Sequence, residues 1–179
     1  MRKIIISDYD PQWPDLFEAE SKLLQETLGA IILHVHHIGS TAVPGLAAKP
    51  VIDILLEVAS LSELDKHNAA MEHIGYAVRG ENGICDRRYF TKGGERRSHH
   101  VHAFIMGDLQ ILKHLAFRDY LIANSQVANR YAGIKRAIAL ANRNNCHQYS
   151  MLKAEFIENH LKEAAMLVKA RKAVLDSGD

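Results

Sequence analysis

The stretch from His37 to Asp53 reads H-I-G-S-T-A-V-P-G-L-A-A-K-P-V-I-D, and it decides the fold. The residues leading into it, 31–38, are β-branched and His-rich, which is the pattern of a strand. Between Gly39 and Lys49 the chain turns to Gly and small residues, so a loop is expected. That loop offers backbone N–H groups, the hydroxyls of Ser40 and Thr41 and the ammonium of Lys49. Together these are equipment for holding an anion, most simply a phosphate. A second strand follows over 51–58, apolar except for Asp53 and Glu57. Its alternation puts Val51, Asp53, Leu55 and Glu57 on one face and Ile52, Ile54, Leu56 and Val58 on the other. A carboxylate in such a strand is costly to bury alone, so Asp53 calls for a metal ion or a basic side chain. Glu57 lies roughly 13 Å further along the strand and cannot clamp the same ion.

Working outward, residues 4–6 are a short β-branched run, expected as an edge strand. Pro11 and Pro14 stand where a helix would begin. Trp13, Leu16, Phe17, Leu24 and Leu28 then recur at helical spacing, and Gly29 closes the segment. Ser60-Leu61-Ser62-Glu63 is a capping box opening a helix that runs to Gly75, with Leu61, Leu64, Met71 and Ile74 on one side. Strands are expected over 76–79, 84–91 and 99–105, the last two joined by the Gly-containing residues 92–97. Asp108 is a good N-cap, and helical segments follow it and recur over 124–143 and 148–172. The expected class is α/β (α+β): a small mixed sheet with flanking helices over 1–107, and a helical part over 108–175 packed on it.

Of eleven histidines, six fall in two triplets, His34/His36/His37 and His99/His100/His102. On a strand His100 and His102 share a face with Phe104, where they could coordinate a metal or donate to phosphate oxygens. His99 points the other way and reads as structural. Arg87, Arg88, Arg96 and Arg97 flank the same hairpin, and arginine holds phosphate with a rigid bidentate fork. Arg88 shares a face with Phe90, and Arg87 with Tyr89; the sequence does not say which face is inward. Tyr131-x-x-x-Lys135 and Tyr149-x-x-x-Lys153 each put a phenol and an ammonium one helical turn apart. The simpler reading is a solvated helix face; the other is a hold on a triphosphate tail.

Composition narrows the rest. The 179 residues are 47% hydrophobic, enough for a real core, and carry a formal net charge of +1. That balance argues against nucleic acid as a partner. No apolar run has transmembrane length, so no membrane partner is expected. No signal-peptide pattern stands at the start, and Cys85 and Cys146 form neither a metal spacing nor a disulfide framework. A cytoplasmic setting is expected.

The motif over 38–53, followed by R-R-Y-F at 87–90, H-H-V-H-A-F at 99–104 and H-L-A-F-R-D-Y-L at 114–121, resembles the GrpB family. That family is similar in fold to the nucleotidyltransferases. There a Gly-Ser pair touches phosphates, two carboxylates one residue apart on the next strand hold magnesium, and a third comes from a neighbouring strand. The resemblance places Gly39 and Ser40 at the Gly-Ser pair and Asp53 at the first carboxylate. The second position falls on Leu55, which cannot bind a metal. The third falls on His100 or His102. One Asp with histidine suits a softer ion such as manganese or zinc, or no ion.

These readings combine into one expectation: transfer of a nucleotidyl group from a nucleoside triphosphate to a small-molecule acceptor. Gly39, Ser40, Thr41 and Lys49 would hold phosphates. Asp53, with His100 or His102, would hold a divalent ion, Mg or Mn, and Asp53 would be the catalytic carboxylate. Arg88 and Lys135 would neutralise the leaving pyrophosphate. The alternative is a catalytically inactive module that keeps the pocket for a nucleotide or other phosphate ligand. A metal-dependent hydrolase using the histidines is a third.

Overall fold

The computed structural model describes residues 4–141, 148 and 151–163. Helix α1, Trp13–Leu28, has Pro14 in its first turn and stops at Gly29, whose φ is +58°. It buries Trp13, Phe17, Leu24 and Leu28, the apolar side of its helical repeat. Strand β1, Ile32–Ile38, and strand β2, Ile52–Val58, flank the loop at Gly39–Lys49. Helices α2, Leu61–Asp65, and α3, Asn68–His73, lead to β3, Tyr76–Val78. Strands β4, Arg88–Lys92, and β5, His99–Ile105, follow. Helices α4, Leu109–Ala123, and α5, Ser125–Ala141, come next, and residues 151–163 are again helical.

The five strands form one mixed sheet in the order β1-β2-β5-β4-β3. Strands β2 and β5 pair in parallel; the other neighbours are antiparallel. One face carries the main core, where Ile52, Ile54, Leu56 and Val58 meet α1, α2 and α3. The opposite face is covered by the later helices. There Leu55, Ile38 and Phe104 pack on Ile111 of α4, and Val43, Leu46 and Ala47 of the loop pack on α5. Both faces of β2 are therefore covered, which is why its sequence is nearly continuously apolar.

Several expected elements are shorter in the structure, each for a local reason. The helix over 61–74 divides at Lys66-His67 into α2, capped by Ser60 on the Glu63 N–H, and α3. The strand expected from residue 84 begins only at Arg88. Gly80, Asn82, Gly83 and Asp86 before it all take positive φ, which no ladder accommodates. In the N-terminal run Ser7 makes a single bridge to Ala48, while Ile4 is buried beside Ala139. Residues 164–172 of the last expected helix, with Tyr149 and Cys146, lie outside the described residues. Among the described residues no helix is long and apolar enough to cross a membrane.

Candidate active site

The site is built where β1 ends. Gly39 takes φ +71° and ψ −165°, a conformation open to glycine, and a Cβ there would lie 2.6 Å from Asp53 Oδ2. A 3-10 turn over Ser40–Ala42 follows. Ser40, Thr41, Lys49, Asp53, His100 and Lys135 line one pocket, together with Lys153. The cavity volume is about 140 Å³.

Two of the expected phosphate ligands differ in how free they are. The Thr41 hydroxyl is committed to the framework: it donates to the Val51 carbonyl at 3.4 Å and lies 3.0 Å from His37 Nε2. His37 stacks on Phe17, and its burial pulls the imidazole down to about 4. Ser40 lines the pocket near the phenol of Tyr131.

Lys135 is brought to the pocket, and the solvated-face reading of the Tyr131/Lys135 pair is overturned. Both residues are 1% exposed. Helix α5 turns this face against Val43, Leu46 and Ala47, so the pair lies under the loop instead of in water. Lys135 Nζ donates to the Ala47 carbonyl at 2.6 Å and sits 4.6 Å over the Tyr131 ring. Burial, then the like charges of Lys153 and Arg136, pull its ammonium down to about 7 against the pull of Asp53.

Asp53 and His100 are register partners across the parallel β2–β5 pair. His100 Nδ1 donates to Asp53 Oδ1 at 2.9 Å, and His102 Nε2 lies 4.0 Å from the same oxygen. Burial opposes ionisation of Asp53, but the two imidazoles outweigh it and hold the carboxyl well below the usual carboxylate range. His99 faces the other way, toward Glu20 of α1.

Arg88 is not brought to this site. Its guanidinium forms a two-pronged ion pair with Asp65 of α2, at 2.6 and 2.8 Å, on the opposite face of the sheet. Alternation on β4 gives the site face to Tyr89, the register partner of His102, and Arg87, just before the strand, lies 3.4 Å from His102 Nδ1. We expect Arg88→Met to cost no more than about 1 kcal/mol, as for a partly exposed ion pair. Phosphate binding should stay at the parental level; a large loss in a phosphate titration would place Arg88 back in the pocket. Glu57 is likewise removed, bonded to His36 Nε2 at 2.7 Å.

Two neighbours of the site go beyond the expected set. Arg87 stands in the sequence without a reason to prefer it over Arg88, and His114 opens the motif at 114–121 without a role assigned to it. The His114 ring centroid lies 5.5 Å from that of His102, and burial pushes its imidazole down to about 4. The signal that could have found it is its place three residues after the inward-facing Ile111 on α4.

As placed, the residues expected to hold a divalent ion do not present a converging ligand set. Leu55, at the second carboxylate position, is wholly buried with Ile38, Phe104 and Ile111. Asp53 Oδ1 already accepts from His100. Among the described residues, the trio of His, Cys, Asp or Glu donors that does converge is Glu81, Cys85 and Asp86, all exposed and none lining the pocket.

Residues 3–163 match the family described as GrpB protein. A UPF0157 protein, YqkA of Bacillus subtilis, is 41% identical over 170 residues, covering 95% of this chain. The chain spans about half, 50%, of that protein's length. The crystal structure of the conserved protein GrpB from Enterococcus faecalis superposes with a TM-score of 0.86 at 42% identity, covering 89% of this chain and 96% of that one. Cid1 in complex with the UTP analogue UMPNPP gives a TM-score of 0.53 at 14% identity, over 82% of this chain and 48% of that one. The last likeness is one of fold alone, the nucleotidyltransferase fold. From the match over nearly its whole length and the Gly39-to-Asp53 geometry, the chain belongs to the GrpB family.

Proposed function

We propose that the pocket holds the phosphate tail of a nucleoside triphosphate and that the chain transfers the nucleotidyl group to a small-molecule acceptor. The observation that carries this reading is the convergence of Lys49, Lys135 and Lys153 with Ser40 on one pocket beside Asp53 and His100. Burial, and then the neighbouring charge of Lys153, depress the Lys135 ammonium, and a bound anion relieves it. In transfer, the acceptor hydroxyl attacks the α-phosphorus and pyrophosphate leaves. In this reading Lys135 and Lys153 neutralise the charge that develops on it. The fold likeness to a protein holding a UTP analogue supports a nucleotide as the ligand.

Leu55 favours a second reading, a binding module that retains the pocket without turnover. Calorimetric titration with ATP, GTP, CTP and UTP, each with and without magnesium or manganese, tests the ligand. Incubation with the labelled nucleotide and candidate acceptors then separates transfer from binding. Failure of all four to bind overturns the transferase reading and leaves the module only with a phosphate ligand other than these nucleotides.

Lys135→Met should weaken nucleotide binding at least about tenfold, or ~1.4 kcal/mol. The sign of the pH effect follows from the lowered value of about 7. The ammonium is charged below that pH and neutral above it. Affinity of the parent should therefore fall between pH 6 and pH 8.5, and Lys135→Met should lack this component. The groups acting on Lys135 are Lys153, Arg136 and Asp53. An identical pH slope in parent and variant would remove Lys135 from the site.

A further inference from the structure

Two imidazoles on one strand face turn opposite edges toward one carboxylate oxygen. His100 presents Nδ1 to Asp53 Oδ1 at 2.9 Å. An ionised carboxylate only accepts, so the His100 proton sits on Nδ1 and its lone pair on Nε2. His102 presents Nε2 to the same oxygen at 4.0 Å, and its Nδ1 lies 3.4 Å from Arg87 Nη1. A guanidinium only donates, so the His102 lone pair is on Nδ1 and its proton on Nε2. Arg87 is itself held: it is 5% exposed, and Nε and Nη2 donate to the carbonyls of Glu81 and Asn82. The two histidines are therefore fixed in opposite tautomers. A metal on His102 Nε2 would require its proton to move to Nδ1, facing Arg87. Nε2 of His100 is bonded to no described residue, and His100 lines the pocket with Ser40 and Lys135.

We propose that Asp53 orients His100 as the general base of the transfer, with Arg87 and His102 as the positioning groups that keep Asp53 ionised and aimed. This rests on the transferase reading above and replaces the metal-ligand role expected for the histidines. The acceptor oxygen forms a bond to the α-phosphorus as its proton passes to His100 Nε2. The bond from that phosphorus to the bridging oxygen breaks, and pyrophosphate departs with the electron pair. The imidazolium on His100 is stabilised by Asp53 and returns its proton to solvent. An orienting carboxylate behind a histidine base is a general solution to activating a weak nucleophile.

The first test is long-range nitrogen–proton correlation NMR of the 15N-labelled parent near neutral pH. The expected result is a protonated Nδ1 on His100 and a protonated Nε2 on His102. The reverse tautomer at either histidine overturns the proposal. So does a magnesium or manganese titration of the free protein that strips the His100 Nδ1 proton from Asp53. The second test is His100→Ala with labelled nucleotide. Nucleotide binding should remain, turnover should fall about 100-fold or more, and added imidazole should restore part of it. Parental turnover in His100→Ala overturns the base role, as does tight nucleotide binding by a parent that never turns over. Absence of nucleotide binding instead defeats the transferase reading, whatever the tautomers, so the two failures are distinguishable.

Discussion

Leu55→Asp should unfold the protein rather than restore a second carboxylate to the site. Leu55 is completely buried, and the residues packed around it are Ile38, Phe104 and Ile111, with Leu115 and Ile84 at the edge. None of these can pair with a charge. Removing the leucine side chain from such a site costs about 2–5 kcal/mol through lost burial and the cavity left behind. An aspartate in its place adds the desolvation of a carboxyl group, or the cost of holding it protonated. A total near ~5 kcal/mol would consume much of the roughly 5–15 kcal/mol that stabilises a typical domain. Urea unfolding monitored by circular dichroism measures it. Leu55→Met is the control, expected to cost less than about 1.5 kcal/mol because volume and polarity are kept. A Leu55→Asp protein as stable as the parent, binding magnesium through Asp53 and the introduced carboxylate, would show that the site tolerates a second carboxylate.

Gly39→Ala should both destabilise the fold and disable the pocket. The backbone at φ +71° and ψ −165° is one that side chains rarely adopt, worth about 1–3 kcal/mol of strain. The added Cβ would also lie 2.6 Å from Asp53 Oδ2 and 3.2 Å from its Cβ and Cγ. Contacts that close must be relieved, and the group with room to move is the Asp53 carboxylate. Displacing it breaks the bond from His100 Nδ1. We expect a loss of about 2–4 kcal/mol in all. For a chain of this size that lowers Tm by roughly 5–15 °C. Nucleotide binding should weaken with it, and the His100 Nδ1 proton should lose its carboxylate-bonded signature. If Gly39→Ala binds nucleotide like the parent and keeps that signature, the close approach of Gly39 to Asp53 has no functional weight.

The same region shows how much of the site is legible in the sequence. Gly39 and Asp53 stand out because a loop of small residues between two apolar strands, the second carrying a carboxylate, is a local pattern. The facing of Leu55 with Asp53, and of His100 with His102 and Phe104, comes from strict alternation and is what the sheet displays. Arg88 is the wrong arginine for this face because alternation pairs residues without saying which side meets the site. Lys135 is a candidate for a triphosphate tail, yet its helix face reads more simply as solvated. Nothing within α5 reveals that residues 43–47 lie across it.

The local elements were thus determined by the sequence alone. Period-two alternation, helical spacing, capping residues and the glycines at Gly29 and Gly39 act over a few residues, where bonding and sterics are read directly. The tertiary structure decided which of those elements meet. The parallel pairing of β2 with β5 joins Asp53 to a histidine 47 positions away, and the packing of α5 on the loop buries an ammonium 88 positions from its carbonyl partner. Such contacts depend on the burial of whole faces at once, a free energy that no short segment contains.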